Sequence, residues 1–206
     1  MQNDRGIDLT DINWAQAGAD APGRGKKVEL NLPEGIDPER IKDKSLSQLL
    51  AGSETDCAIV ARPPTCFLVN RLDIVRLFPE YIKMEEAYFK ETGAWPIVYI
   101  VAMKRSIYDE HPWVARNLYN VLLESKDQGV SRLLDPAISR YPLPWVATYA
   151  NHMRKFMNGD PFPYDIEENR KTWKQMALYS YRQDIAHRQF TPEVIFPPTV
   201  STKVIT

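Results

Sequence analysis

The sequence contains little histidine and cysteine, and its charges of opposite sign nearly cancel. Three histidines and two cysteines occur among 206 residues. The spacing of Cys57 and Cys66 fits neither a CxxC redox pair nor a zinc knuckle, so we interpret both as buried thiols. Lys and Arg (26) nearly balance Asp and Glu (27), so no global field attracts nucleic acid or an anionic membrane.

Several motifs are absent as well. The sequence has no GxGxxG, GxxxxGK or GxSxG motif and no metal-ligand spacing, which argues against nucleotide hydrolysis and serine-hydrolase chemistry. We therefore expect no metal and no organic cofactor. No stretch approaches the roughly 18 apolar residues of a membrane span, and the first thirty residues lack a signal-peptide core. We expect a cytoplasmic, soluble protein, unless a signal peptide precedes a missing upstream part.

The first half has strand character with one helix. Residues 11–15 and 28–32 suit half-buried strands, and Ser45 can cap a short helix that Gly52 ends. Residues 57–61 form a continuous apolar run typical of a strand buried on both faces. Strand, helix and strand in this order predict a parallel α/β unit.

The second half is mostly helical, and its helices carry clear end signals. Thr92-Gly93 ends the first helix, Pro112 begins the second and Gly129 ends it. The periodicity predicts two more helices over about 144–158 and 167–184, the latter with four residues facing inward: Trp173, Met176, Ala177 and Ser180. Thr191 and Pro192 begin a last turn.

One strand in this half, residues 97–103, is the most strand-like segment of the chain. A lone strand leaves its backbone groups unpaired, so it must join strands of the first half or strands absent from this chain. We therefore divide the chain into residues 1–95, with α/β character, and residues 96–206, with one strand followed by helices. The same argument predicts a truncated or shared sheet.

The order of rare residues resembles the 4,5-dihydroxyphthalate decarboxylase family over nearly the whole chain. The segments that carry the resemblance are Ile12-Asn13-Trp14, Ala21-Pro22-Gly23-Arg24, Leu46 to Leu50, Asp56-Cys57-Ala58-Ile59, Arg62-Pro63-Pro64, Arg76-Leu77-Phe78-Pro79, Glu86-Ala87-Tyr88, Thr92-Gly93, Pro96-Ile97, His111-Pro112-Trp113-Val114-Ala115, Leu118-Tyr119, Leu143-Pro144-Trp145, Gly159-Asp160, Pro163-Tyr164 and Asn169-Arg170.

The resemblance implies an α/β fold like that of type II periplasmic binding proteins, in which two lobes close on a small molecule. It also implies about a hundred further residues ahead of Met1, so the N-terminal part of the first lobe is expected to be missing. Residues 1–95 would then belong to the second lobe, and residues 96–206 would complete the first. The family usually has His at the position of Tyr99 and Gly at that of Asp165, and the first difference bears on catalysis or substrate identity.

Non-oxidative decarboxylation of an aromatic ring needs a cation for the remaining carboxylate and an acid for the ring carbon. Arg62 follows a predicted strand and is stiffened by two prolines, so it can bind a carboxylate, although a surface turn also explains it. Tyr99 is either a residue that contacts the substrate or a plain core tyrosine.

Two histidines are further candidates for the proton donor. His111 precedes a helix and His152 lies within one, although a histidine at a helix start is more often a capping or packing residue. His187 falls in a polar stretch, and we interpret it as exposed to solvent. Asn169 and Arg170 begin a helix whose N-terminal end favours an anion, although Arg170 also suits a surface pair with Glu167 or Glu168.

Three hypotheses about the function follow from these observations. The leading hypothesis is a carbon–carbon lyase that converts 4,5-dihydroxyphthalate to protocatechuate, with Tyr99 and His111 catalytic and with Arg62, Asn169 and Arg170 binding the substrate. The alternative is a solute-binding protein of an ABC transporter, which needs the arginine but no proton donor. The third is an inactive short form. The expected partner is a small aromatic carboxylate, with a possible homo-oligomer and no nucleic acid or membrane.

Overall fold

The computed structural model describes residues 6–23, 32–69, 73–137 and 141–201. The chain divides into two compact units. Unit 1 comprises Met1–Ala87 and Tyr179–Arg188, and unit 2 comprises Tyr88–Leu178 and Gln189–Thr206. Within the described ranges, no helix has both the length and the apolar character that crossing a membrane requires.

Helices predominate in the described part of the chain. A short 3-10 helix, Leu9–Asp11, precedes two strands, β1 (Ala15–Gln16) and β2 (Glu39–Arg40). The α-helices that follow are α1 (Leu46–Ala51), α2 (Thr65–Leu68), α3 (Tyr81–Thr92), α4 (Arg105–Glu110), α5 (Pro112–Leu134), α6 (Val146–Phe156), α7 (Arg170–Arg182), α8 (Pro192–Ile195) and α9 (Pro198–Ser201).

Unit 1 is organised around the start of α1. Ser45 is fully buried, and its hydroxyl accepts a hydrogen bond from the backbone N–H of Gln48. The Gln48 side chain in turn accepts from the backbone N–H of Ser45, which completes a capping box and confirms the predicted cap. β1 and β2 pair in parallel, with Ala15 opposite Glu39.

Helix α2 is held to this framework by two side chains. The Asp20 carboxylate accepts a hydrogen bond from the backbone N–H of Thr65 at 2.7 Å, which lowers the pKa of Asp20. The Ser47 hydroxyl accepts from the backbone N–H of Cys66. Cys66 is buried as predicted, but Cys57 is exposed, so the interpretation of Cys57 as a buried thiol was wrong.

The core of unit 2 lies around α7. Trp173 and Ala177 are buried on it, and the Trp173 ring packs edge-on against Phe196 with centroids 4.9 Å apart. Met176 is 37% exposed, so the expectation that it faces inward was wrong. Next to this core, the Thr172 hydroxyl accepts a hydrogen bond from the backbone N–H of Trp95.

Most of the helix end signals are confirmed. Gly93 follows α3 with a positive φ of 67°, and Pro112 and Pro192 each begin a helix. The expected end at Gly129 was wrong, because α5 continues through it to Leu134. A glycine inside a helix costs only about 1 kcal/mol relative to alanine, which the rest of a long helix can offset.

The predicted strands differ more from the structure. Residues 57–61 and 97–103 have no ladder partner among the described residues, so neither is a strand there. Ile59 is 68% exposed, which contradicts burial on both faces. A strand requires a neighbouring strand with which its backbone can form hydrogen bonds. The described part of the chain provides no such neighbour for these two segments. The strand predicted at 11–15 is replaced by Leu9–Asp11 and β1, and that at 28–32 lies, except for Leu32, outside the described residues.

Candidate functional site

Arg62 lies in unit 1, on an exposed bend between the irregular residues 57–60 and helix α2. Pro63 and buried Pro64 follow it, so its backbone is stiff as expected. Among the described residues it has no hydrogen-bond or ion-pair partner. A guanidinium presented in this way is available to a carboxylate.

Tyr99 lies in unit 2, on the irregular segment between α3 and α4, and it is 91% exposed. The alternative of a plain core tyrosine is therefore wrong for the described chain. The reason is the missing ladder partner, since an unpaired strand has no sheet surface to lie in. The phenol has no partner among the described residues, so its reactive oxygen is open to another molecule.

His111 connects α4 and α5. Its Nε2 lies 3.5 Å from a carboxylate oxygen of Glu110, and its ring centroid is 6.1 Å from that of Trp113. It makes no side-chain capping bond, so the capping alternative is not realised. His152 lies on α6 and stacks on Phe156, which favours the packing alternative for His152.

Asn169 and Arg170 are both engaged by neighbours in unit 2. The Asn169 amide donates to the carbonyls of Pro163 and Asp165, which fastens the turn before α7. Arg170 pairs with Glu167 and also with Glu193 at 2.7 Å. The surface-pair alternative for Arg170 is therefore confirmed, and its guanidinium already faces two carboxylates.

These ion pairs lower the pKa values of the two carboxylic acids that take part in them. The hydrogen bond from Arg170 is the main cause that lowers the pKa of Glu167. Hydrogen bonds from Thr191 and then from Arg170 lower the pKa of Glu193 to about 2. The N-terminal end of α7 is thus occupied by the chain's own carboxylates, which leaves less attraction for an external anion.

A hollow of about 560 Å³ in unit 1 gathers groups that suit an aromatic carboxylate. Its lining residues are Leu32, Tyr181, Arg182, Asp184, Ala186 and His187. Arg182 supplies a cation, His187 an imidazole, and Leu32 and Tyr181 an apolar wall. The volume falls within the usual range for small-molecule sites, but the hollow is open and its lining is mostly polar, unlike that of a typical site of this kind.

The turn after α7 places these side chains. The Ser180 carbonyl accepts from the backbone N–H of Ile185, and the Tyr181 carbonyl accepts from that of Asp184, which has a φ of 56°. This bond pair is the Schellman arrangement that reverses the chain after a helix. Sequence reasoning missed Arg182, because glycine usually marks such a turn and here Asp184 takes its place. The interpretation of His187 as solvated is confirmed, since this residue is exposed.

A second hollow, of about 620 Å³, lies in unit 2 and has a more acidic lining. Its lining residues are Asp127, Val130, Ser131, Leu134, Asp135, Arg154, Gly159 and Asp160. Three carboxylates face one guanidinium there, so a dianionic ligand would be repelled. This hollow does not suit a dicarboxylate.

Lys126 lies beside that hollow, with 8% of its side chain exposed. Its ammonium lies 2.5 Å from Asp160 and 3.1 Å from Asp127. Burial by itself lowers the pKa of Lys126, but the hydrogen bonds to the two carboxylates outweigh it and raise the pKa. A lysine held charged in this way is a structural group rather than a nucleophile.

The predicted site residues do not form one cluster within a unit. Arg62 belongs to unit 1, whereas Tyr99, His111, Asn169 and Arg170 belong to unit 2, and none of the five lines either hollow. Within the described ranges, no group of three or more His, Cys, Asp or Glu side chains is placed to hold a metal ion.

Comparison with curated proteins finds similarity to two 4,5-dihydroxyphthalate decarboxylases. It is 25% identical over 199 residues to a 4,5-dihydroxyphthalate decarboxylase from Comamonas testosteroni, a match that covers 96% of this chain and 60% of that protein. A 68-residue stretch is 34% identical to a 4,5-dihydroxyphthalate decarboxylase from Pseudomonas putida, covering 32% of this chain and 26% of that protein. No protein-family model matches the chain.

Proposed function

We propose that this chain belongs to a non-oxidative decarboxylase of hydroxylated aromatic dicarboxylates, of the kind that converts 4,5-dihydroxyphthalate to protocatechuate. The observation that carries the proposal is a similarity to a protein of that name over 96% of this chain. The chain spans 60% of the length of that relative, so a complete site would require more polypeptide than is present here. For that complete site we propose the two-lobed fold of type II periplasmic binding proteins.

The reaction consumes one proton and releases one carbon dioxide. A ring hydroxyl para to the leaving carboxylate pushes electrons into the ring, and an acid adds a proton to the carboxylate-bearing carbon. The bond to the carboxylate then breaks, its electron pair returns to the ring and carbon dioxide leaves. A well-placed acid contributes about 10² to 10⁴-fold to such a step.

Two arginines of unit 1 are candidates for the carboxylate that stays on the ring. Arg62 is exposed and has no partner among the described residues. Arg182 lines the unit 1 hollow together with His187, where Asp184 can accept a hydrogen bond from a ring hydroxyl. Both candidates are supported by chemistry that a hydroxylated aromatic acid requires.

The acid is assigned to Tyr99 or His111, and both side chains are exposed in unit 2. A phenol or an imidazole can each donate the proton. Asn169 and Arg170 are weaker candidates for substrate binding, because each already has partners within the chain. We assign Asn169 and Arg170 a structural role at the start of α7.

A titration of the arginine variants with 4,5-dihydroxyphthalate tests the carboxylate assignment. Isothermal calorimetry on Arg62→Gln and Arg182→Gln should show one of them weakening binding by roughly one to two powers of ten, since a charge-assisted pair contributes about 1.5 to 3 kcal/mol. Arg40→Gln is the matched control, because Arg40 is an exposed arginine of the same unit. Equal affinities in all three variants would remove both candidates.

A parallel measurement separates an enzyme from a solute-binding protein. The lyase must release carbon dioxide and protocatechuate in equal amounts, and Tyr99→Phe or His111→Gln must slow that release. Saturable binding with no product, and with no effect of either substitution, would instead support solute capture.

A further inference from the structure

The segment Ile97–Met103 of unit 2 exposes an unusual run of apolar side chains. Four consecutive residues have large exposed fractions: Val98 76%, Tyr99 91%, Ile100 57% and Val101 65%. Between residues 97 and 103, no backbone N–H or carbonyl bonds another backbone group of the described chain. Apolar side chains and unpaired backbone thus coincide on one short stretch.

In a strand conformation both faces of this segment would be apolar, because successive side chains of a strand point in opposite directions. Such a run is typical of an internal strand that is covered on both faces, whereas exposed edges usually carry charge or proline. The sequence from Ile97 to Ala102 contains neither. The segment therefore has the chemistry of a sheet interior.

The segment is also held at both ends. The backbone N–H of Trp95 donates to the Thr172 hydroxyl at 3.0 Å, and α4 begins at Arg105. The seven residues 97–103, which lie between these anchors, can extend about 23 Å at roughly 3.3 Å per residue. A strand fixed at its ends loses less conformational freedom on binding than a free peptide does.

We propose that Ile97–Met103 is a docking strand that pairs with a β-strand supplied by polypeptide equivalent to the unmatched part of the Comamonas protein. The comparison aligns 96% of this chain with only 60% of that relative. The remaining two-fifths of its length is ample for several strands. A second copy of this chain would pair the same strand with itself, and the experiment below distinguishes that case.

Hydrogen exchange by mass spectrometry tests the proposal on the full 206-residue chain. The probe is a separately expressed polypeptide that comprises the part of the Comamonas protein outside the match. In the chain alone, light scattering should give the mass of a monomer. The amides of residues 98–101 should then exchange quickly. With the probe, light scattering should show a one-to-one complex, and those amides should slow by about a hundredfold.

Val98→Lys is the decisive variant and Val121→Lys is its matched control. Both valines lie in unit 2 and are exposed, by 76% and 62%, and Val121 is on α5. Burying a valine is worth about 1.5 to 3 kcal/mol, so Val98→Lys should weaken the complex at least about tenfold. Val121→Lys should leave its affinity within about twofold.

Four results would overturn the docking strand. They are slow exchange of residues 98–101 in the monomeric chain, protection that appears only on self-association, equal weakening by the two lysine variants, and no complex with the probe. All of these readouts measure binding, so they are independent of whether any preparation releases carbon dioxide.

Discussion

Replacing Asp160 with asparagine should destabilise unit 2 through the buried ammonium of Lys126. Lys126 lies on α5, has 8% of its side chain exposed and contacts Asp160 at 2.5 Å, so the substitution removes its nearest charge partner. The new amide keeps the shape and the acceptor that binds the backbone N–H of Phe162. The amide nitrogen takes the place of Oδ2 and cannot accept from the Lys126 ammonium, so both the charge attraction and that hydrogen bond are lost.

The expected loss is about 1.5 to 2 kcal/mol, the lower part of the range for hydrogen bonds to charged groups. The lower part applies because the Asp160 side chain is itself 36% exposed and partly screened by solvent. Chemical denaturation followed by tryptophan fluorescence measures this loss well, since Trp95, Trp113, Trp145 and Trp173 all lie in unit 2.

Two further variants allow the predicted losses of stability to be ranked. Asp127→Asn makes the same change at a partner that is 65% exposed and 3.1 Å away, so it should cost below about 1 kcal/mol. Lys126→Met removes the ammonium itself and leaves no buried unpaired charge, so it should cost less than Asp160→Asn. A loss for Asp160→Asn no larger than that for Asp127→Asn would refute this reasoning.

The same lysine predicts a dependence on alkaline pH. Its folded pKa is raised above the ordinary value of 10.5, so its contribution is complete below that pH and disappears as the pH rises through the folded pKa. The stability difference between the original chain and Lys126→Met should therefore stay constant from neutral pH to about pH 9 and shrink above it. A difference that changes between pH 6 and 9 would show that another group titrates.

Three further predictions concern unit 1 and the ends of α3 and α7. Ser45→Ala should cost about 1 kcal/mol in chemical denaturation because the capping box is lost, and an unchanged midpoint would argue against it. Glu193 should titrate near pH 2 when it is followed by NMR. Its contribution to the stability of the fold is therefore present above about pH 4.5 and lost as the pH falls toward 2. Arg170→Gln should raise the pKa of Glu193. Gly93→Ala should destabilise by about 1 kcal/mol or more, because its φ is +67° and a Cβ would come within 2.8 Å of the Lys171 side chain, and a neutral result would mean that the turn relaxes.

The helix ends could be predicted from sequence because their causes are local. Ser45 needs only a glutamine three residues later, and Pro112 and Pro192 need only the free first turn of a helix. Gly129 misled the prediction because a single residue's propensity is small beside the continuity of α5.

The strands and the unit 1 hollow depend on contacts that a local pattern does not contain. Residues 57–61 and 97–103 have strand composition, yet a strand also requires a neighbour, and the described chain provides none. Arg182 and His187 converge because Asp184 adopts a left-handed conformation, and nothing in its residue type requires that. The predicted division at residue 95 and the two-lobed fold stay predictions.

Release of labelled carbon dioxide from 4,5-dihydroxyphthalate carrying ¹³C in both carboxylates tests the central claim most directly. The chain is assayed alone and in complex with the polypeptide probe used for the docking strand, beside a heat-denatured control. We expect carbon dioxide and protocatechuate in equal amounts, formed at least about tenfold faster in the complex, because a completed cleft orients the substrate. Saturable binding of the dicarboxylate with no release from either preparation would contradict the assignment as a decarboxylase.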